Sequence, residues 1–583
     1  MRKEYPRPDF KRESFITLCG EWDFSFDDQN VGHAEKWFIS HTFNKKIIVP
    51  FCFESELSGI HDTKFHKHVW YHKKLDTLSF NKDERVILHF EGVDYYSEIY
   101  VNGYKVSSHY GSCGDNIVDV TDYLLDENHL VVYCFDDPED VSIPRGKQDW
   151  EEESHGIWYT RTTGIYKPVW LQVVNEKHVK QFFVTSKILN NEVTVDLELS
   201  TSNGKIEFNV SNGNDVLSFL FDVEKVKDFY KFNLGESFVD GNYWNVDNPK
   251  LFDLEIKLYD ENGDLKDRVG TYFGIREVST KDGYVLLNNK PIYQKLVLNQ
   301  GYYLGGLLTA PSIEDMENDI DYMIQMGFNG CRIHQKVEDP YFLYLCDKKG
   351  FLLWQECPAH YGYTTLGHRR LMNEWIEIIK NNYNHPSIIT YTPLNESWGV
   401  EGIMENVDIQ RFANSLYYLV KSLDSTRLVI SNDGWEHCKT DLITVHNYSH
   451  GEKGDKAKYD LFVKVLSERE EIIKAGNEFK NILVSKEYDE GQPIILSEFG
   501  GIAFKKDTDK KAWGYTTCQD EQEYQEELER IYLAISRSNC IQGICYTQLT
   551  DVEQEVNGLL TFDRKFKIDP SIIKKINEML DRK

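Results

Sequence analysis

The rhythm of the chain changes near Tyr284, and that change limits the fold more than any other feature. Beyond it, short apolar runs alternate with helical patterns, the signature of parallel βα units. Runs near 292–298, 328–333, 351–355, 388–393, 428–431, 442–446, 493–497 and 541–547 read as eight strands. The clearest helix between them starts at Ser312, which can cap with Asp315; Met316, Ile320, Met323 and Ile324 share one face, and Gly327 can end it. Eight strands in ~300 residues predict a closed (β/α)8 barrel over 277–583. The alternative, an open doubly wound sheet, loses support because the chain has neither a G-x-G-x-x-G turn nor a G-K-[ST] phosphate loop.

Before Tyr284 the pattern has period two. Runs such as RVILHFEGV and SEIYVNGYKV predict an antiparallel β-sandwich over 1–175, and EVTVDLELST, KIEFNVSN and LFDLEIKLYD an immunoglobulin-like sandwich over 176–276. With 66 Lys and Arg against 95 Asp and Glu, the net charge of -29 argues against nucleic acid and anionic membranes as partners. The start, MRKEYPRPDFKRESF, has no apolar h-region, and no run is long enough to span a bilayer, so the expectation is a cytoplasmic protein with no membrane partner. Eleven scattered cysteines with no C-x-x-C pair read as reduced, mostly buried thiols.

In a (β/α)8 barrel the reacting groups sit at the C-terminal ends of strands. Those positions hold Arg332 and His334, Glu356, Asn395 and Glu396, His446, Asn447 and Tyr448, Glu498, and Gln548. Glu396 and Glu498 each follow an apolar run, on strands that face each other across the mouth. A single strand-end glutamate is more often solvated or paired with a cation. Two so placed match what a retaining glycosidase needs, one to protonate the leaving oxygen and one to attack the anomeric carbon.

The ordered set T-x-x-N-E-S at 392–397 and I-L-S-E-F-G at 495–500 resembles glycoside hydrolase family 2, the family of β-galactosidases, β-glucuronidases and β-mannosidases. LCGEWDF, IVPFCFES, EGVDYYSEIYVNG and IWYTRTTGIYKPVWL are similar to its jelly-roll, sugar-binding sandwich, and DGYVLLNNKPI to the start of its barrel. The resemblance implies Glu396 as acid/base, Glu498 as nucleophile and Asn395 on the sugar 2-hydroxyl. An acid that stays protonated calls for a pKa raised by poor solvation. Arg332 would hold Glu498 as a carboxylate with Tyr448 as a second donor, although a purely structural ion pair explains Arg332 equally well. His334 would reach a sugar hydroxyl. Of Trp354, Trp398 and Trp513, Trp513 is the favoured stacking wall. Asn447, Gln548 and Glu356 complete the substrate-binding set; for Glu356, Glu553 and Glu555 a solvated rim is the plainer role. The family layout also suggests that Trp150, Trp158 and Arg161 of the sandwich face the pocket, and that homo-oligomers are common.

The chain departs from the family in ways that bear on substrate. CRIHQKVEDP stands where many β-galactosidases have R-x-S-H-Y-P, and WQECPAHYGY lacks the magnesium-binding E-x-H, so no metal or other cofactor is expected. The N-x-K that recognises a carboxylate in β-glucuronidases is replaced by Glu555 and Asn557, favouring a neutral, β-galactosidase-like glycoside. A β-glucuronidase, an arabino- or galactofuranosidase, a non-catalytic carbohydrate-binding protein, and a metal-dependent enzyme using Glu356, Glu396 and Glu498 stay open as competing readings.

Overall fold

A computed structural model describes residues 3–475, 479–504 and 513–581. The first unit is an antiparallel sandwich. One sheet runs Ile16–Thr17, Val169–Asn175, Glu84–Phe90, Asn116–Asp119; the other runs Lys45–Val49, Gly20–Phe26, His68–Leu75, Asn128–Phe135, Tyr96–Val101, Tyr104–Tyr110. Alternation drives it: Val86, Leu88 and Phe90 point inward from one sheet and meet Phe24, Tyr71, Ile99 and Val132 from the other.

The second unit is a seven-stranded immunoglobulin-like sandwich. Three strands, Val179–Lys187, Glu192–Leu199 and Lys227–Asn233, face four, Asp215–Asp222, Lys205–Asn212, Phe252–Tyr259 and Leu265–Phe273. Its Trp244 leaves this sandwich and packs with Val285 and Leu287 against Leu296, Trp354, Ile389 and Ile495 of the barrel strands, where the indole donates to Asp347 O at 2.8 Å. This apolar plug fills the N-terminal end of the barrel.

The eight barrel strands are Gln294–Asn299, Gly330–Ile333, Leu352–Glu356, Ile388–Thr392, Leu428–Val429, Ile443–His446, Ile494–Gly500 and Ile541–Thr547. They form one curled parallel sheet, the first strand pairing with both the second and the eighth. The fifth and sixth strands have no ladder pairing among the described residues, but Asp441 N donates to Val429 O and His446 N to Gly434 O beside that seam. The predicted helix is Ile313–Gln325, capped by Ser312, which accepts from Asp315 N; Gly327 follows with φ +85°. Met316, Ile320 and Met323 are buried, whereas Ile324 is 40% exposed, because at 100° per residue it lies at the margin of that stripe.

Removing the indole that plugs the barrel floor should be expensive. Trp244→Ala is expected to cost about 3–5 kcal/mol by cavity formation and the lost hydrogen bond, seen as a lower midpoint in chemical denaturation; a loss under about 1 kcal/mol would mean the plug collapses around the gap.

Candidate active site

The site is organised by one guanidinium. Arg332, at the end of the second strand, is wholly buried. Its Nη1 lies 2.8 Å from Glu498 Oε1 and 2.8 Å from Asp433 Oδ2, its Nη2 donates to Asn395 Oδ1 at 2.7 Å, and its Nε bonds Glu356. Burial works against the charge, but these carboxylates hold the Arg332 pKa well above its ordinary value. Arg332 is therefore at once a buried ion-pair partner and a donor to Glu498.

Glu396 sits just past the fourth strand with φ +53°, followed by Ser397 at φ +58°. Two successive non-glycine residues in the left-handed region cost backbone energy. The turn is fixed by Glu396 N donating to Asp433 O, Ser397 N to Asn432 Oδ1 at 3.0 Å, and Ser397 Oγ to Glu436 at 2.5 Å. The Glu396 carboxylate faces the pocket and meets His446, whose Nδ1 is 2.7 Å from Glu396 Oε1 while its Nε2 is 2.9 Å from Asp433 Oδ2 and 3.4 Å from Glu498 Oε1.

This corrects the expected raised pKa of Glu396. Burial does push it up, but the hydrogen bond and charge of His446 outweigh burial and leave it below the ordinary value. Burial pulls His446 down, but Glu498, Asp433 and Glu396 raise it to about 10. The residue the sequence reasoning left without a role is thus central; its position at a strand end was the only signal. Asp433, whose pKa Arg332 and His446 lower despite burial, follows the fifth strand and was not anticipated.

Tyr448 donates to Glu498 Oε2 at 2.7 Å, and its ring stacks on Tyr515 with centroids 3.5 Å apart. Tyr515, Trp435 and Phe479 line a cavity of about 840 Å³ that opens beside Glu396. Trp513 is half-buried, edge-on to Tyr515 at 4.8 Å, and bridged to Glu555. Trp398 lies at the mouth against Trp158 and Tyr361, and Trp354 is buried in the barrel floor. His334 directs Nδ1 at Glu356 and Arg332, 3.1 and 3.2 Å away. Asn395 is buried, with its Oδ1 taken by Arg332. The Asn447 carbonyl oxygen of the side chain accepts from Ser449 N at 2.9 Å, a local turn.

Three further expectations change. Glu356 is not a solvated rim acid but is buried on Arg332, His334 and the Gln335 amide. Glu555 is likewise buried, accepting from Tyr159 at 2.5 Å and Asn557 at 2.9 Å. Gln548 is wholly buried and links Gln300 to Asn557, so it supports Glu555 from behind. Glu553, half-buried, accepts from Thr160 N at 3.1 Å.

The sandwich packs across the barrel mouth, where its Arg145, Lys147 and Gln148 line a small cavity with His334 and Gln335. Its loop over 145–161 lies on the segment after the eighth strand: Ser154 donates to Gln554 at 2.9 Å and Tyr159 to Glu555, while the Trp158 indole donates to Tyr361 at 3.1 Å. Trp150 packs edge-on to Trp158. Arg161 instead turns away, donating to the Glu151 and Thr63 carbonyls over the Phe65 ring.

Glu396, His446 and Glu498 each offer one atom to a metal, all within 4.8 Å of one another. Both His446 nitrogens and both Glu498 oxygens are already bonded within the protein.

Three family descriptions match in order: Glycosyl hydrolases family 2, sugar binding domain, at 15–173; Glycosyl hydrolases family 2 at 177–276; and Glycosyl hydrolases family 2, TIM barrel domain, at 278–578. The chain belongs to glycosyl hydrolase family 2. A β-galactosidase of Thermoanaerobacter pseudethanolicus is 28% identical over 70% of this chain and 53% of its own length. A β-glucuronidase of Streptococcus agalactiae is 22% identical over 66% of this chain and 67% of its own. The chain spans about half the length of the first curated relatives it matches, 44%, 53% and 48%. A solved β-glucuronidase of Ruminococcus gnavus superposes with a TM-score of 0.80 at 18% identity, covering 98% of this chain and 99% of that one, a likeness of fold. Among the described residues no helix is long and apolar enough to cross a membrane.

Two measurements follow for this family 2 site. Arg332→Met leaves buried carboxylates without their cation and is expected to cost about 3–5 kcal/mol; an unchanged midpoint would show that they protonate or hydrate at no cost. His446, raised to about 10, contributes stability that is complete below its ordinary 6.5 and is lost as pH climbs through about 10. The melting temperature of the protein should therefore fall over that window more steeply than that of His446→Asn, and parallel curves would contradict it.

Proposed function

We propose that the protein is a retaining exo-glycosidase for neutral glycosides, with Glu396 as acid/base and Glu498 as nucleophile. The carboxylate pair carries this reading. Oxygens of Glu396 and Glu498 lie within 4.8 Å of each other, in keeping with the roughly 5–5.5 Å of retaining enzymes and below the roughly 6.5–9.5 Å that seats a water in inverting ones.

Glu498, fixed by Arg332 and Tyr448, attacks the anomeric carbon; the glycosidic bond breaks and its oxygen takes a proton from Glu396. Water then attacks the glycosyl ester, gives a proton to the Glu396 carboxylate and releases Glu498. The Glu396–His446 hydrogen bond supports both roles. With the proton on Glu396 the pair is an acid; with it on Nδ1 the imidazolium steadies the carboxylate that acts as base. We assign Asn395, held by Arg332 through its Oδ1, to donate its amide to a sugar hydroxyl beside the nucleophile. The sandwich loop packs across one side of the barrel mouth, on Gln554, Glu555 and Tyr361, which suits cleavage at a chain terminus.

Charge favours a neutral sugar. Among the described residues, the carboxylates Glu356, Glu396, Asp433, Glu498 and Glu555 gather at the site against Arg332, His446, His334 and Lys147, with Lys458 at the cavity wall. A uronate would add another anion. Whether the ring is a pyranose or a furanose is decided by the substrate panel below.

Purified protein is expected to cleave a neutral aryl pyranoside or furanoside, to release the sugar first in its retained anomeric form by NMR, and to lose at least ~10²-fold in kcat in Glu396→Ala or Glu498→Ala. An inverted first product would overturn the mechanism; a uronide preferred over every neutral glycoside would overturn the substrate class. In His446→Asn the stabiliser of the Glu396 carboxylate is gone, its pKa rises, and the acidic limb of kcat for an activated aryl glycoside should move to higher pH. An unmoved limb would exclude His446 from the acid/base step.

A further inference from the structure

Within the roof supplied by the sandwich, Lys147 is an anomaly. It is 8% exposed, yet among the described residues its ammonium has neither an ion pair nor a hydrogen bond, and only more distant carboxylates act on its charge. Its neighbours are the faces of Trp158 and Tyr159, with Nζ 5.9 and 5.8 Å from the ring centroids. With His334 and Gln300 it lines a cavity of about 20 Å³, room for one water. The carboxylates that act on its charge are those of the pocket: Glu555 first, then Glu396, Glu498 and Glu356. Burial of an unpaired ammonium is costly, and burial accordingly lowers its pKa. Such a cost is retained where a ligand supplies the missing partner.

Glu555 is the complement. It comes from the other domain, and Tyr159 and Asn557 fix its two oxygens while leaving lone pairs on each. Tyr159 also ties the pair together, since its amide donates to Lys147 O and its hydroxyl to Glu555. An ammonium offers three donors and no acceptor, and a carboxylate offers acceptors only. Between them a sugar hydroxyl can accept from one and donate to the other, a use that a uronate oxygen, which has no proton to donate, cannot satisfy at Glu555.

We propose that Lys147 and Glu555 form a specificity clamp, shared between sandwich and barrel, that recognises a hydroxyl of the neutral sugar whose bond is cleaved. The clamp rests on the glycosidase reading above, and its test separates the two. Wild type, Lys147→Met and Lys147→Arg are compared on the neutral aryl glycoside that wild type cleaves and on its monodeoxy analogues. Lys147→Met should raise KM and lower kcat/KM by roughly 10- to 100-fold, the effect of one charge-assisted hydrogen bond, with partial rescue in Lys147→Arg. One deoxy analogue should lose a similar factor in wild type and lose nothing further in Lys147→Met, because the two deletions remove the same bond. The melting temperature of Lys147→Met should not fall, since an unpaired buried charge has been removed.

If wild type cleaves a neutral glycoside but Lys147→Met keeps its kcat/KM, the clamp is wrong while the glycosidase stands. A fall in melting temperature with KM unchanged would make Lys147 a structural prop. Selective loss of uronide cleavage in Lys147→Met would replace the hydroxyl by a carboxylate and overturn the clamp as stated. If wild type cleaves no glycoside at all, the underlying function fails and takes the clamp with it.

Discussion

Everything at the mouth of the barrel depends on burying a single guanidinium. Arg332 touches groups delivered by the second, third and seventh strands and by the loops after the fourth and fifth. Taken singly, each carboxylate would be too costly to desolvate; around one planar cation with several donors, their positions become mutually determined. The opposite end of the barrel is closed by hydrocarbon and by Trp244 from the neighbouring sandwich. The interior therefore grades from apolar floor to ionic mouth, and the floor keeps the water away that would otherwise weaken the ion pairs above it.

How much of this was legible in the sequence follows from the range of the forces involved. Strands could be read because each is a local run of apolar residues, and all eight lie close to where the pattern placed them. Glu396 and Glu498 could be read because strand ends are defined by those runs. Burial at the mouth could not. Glu356 and Glu555 look like rim acids in one dimension, and only the convergence of Arg332, or of Tyr159 and Asn557, makes them interior residues. Arg161 and Lys147 show the same limit: both belong to one sandwich loop, yet one lies over Phe65 and the other beside a small cavity that it lines with His334. His446 was seen at its position but not in its role, because a histidine between three acids is a fact about four separate loops and strands.

The two-domain construction of the pocket also follows from this geometry. The barrel supplies the buried ion network on strands, where rotamers are locked by packing, and the sandwich supplies a loop tied down by hydrogen bonds at Gln554, Glu555 and Tyr361. The ion network and the loop that packs on it are thus carried by different parts of the chain, so the loop can change without disturbing the network beneath it.

The left-handed backbone at Glu396 and Ser397 has a consequence for timing. A residue held in that region has already surrendered the freedom it would otherwise lose when substrate arrives. The entropy is lost once, when the chain folds and Asp433, Asn432 and Glu436 close around the turn. On the proposed acid/base role of Glu396, each later encounter with substrate begins from a carboxyl group that is already aimed, and the binding energy of the sugar remains free for distorting the sugar itself.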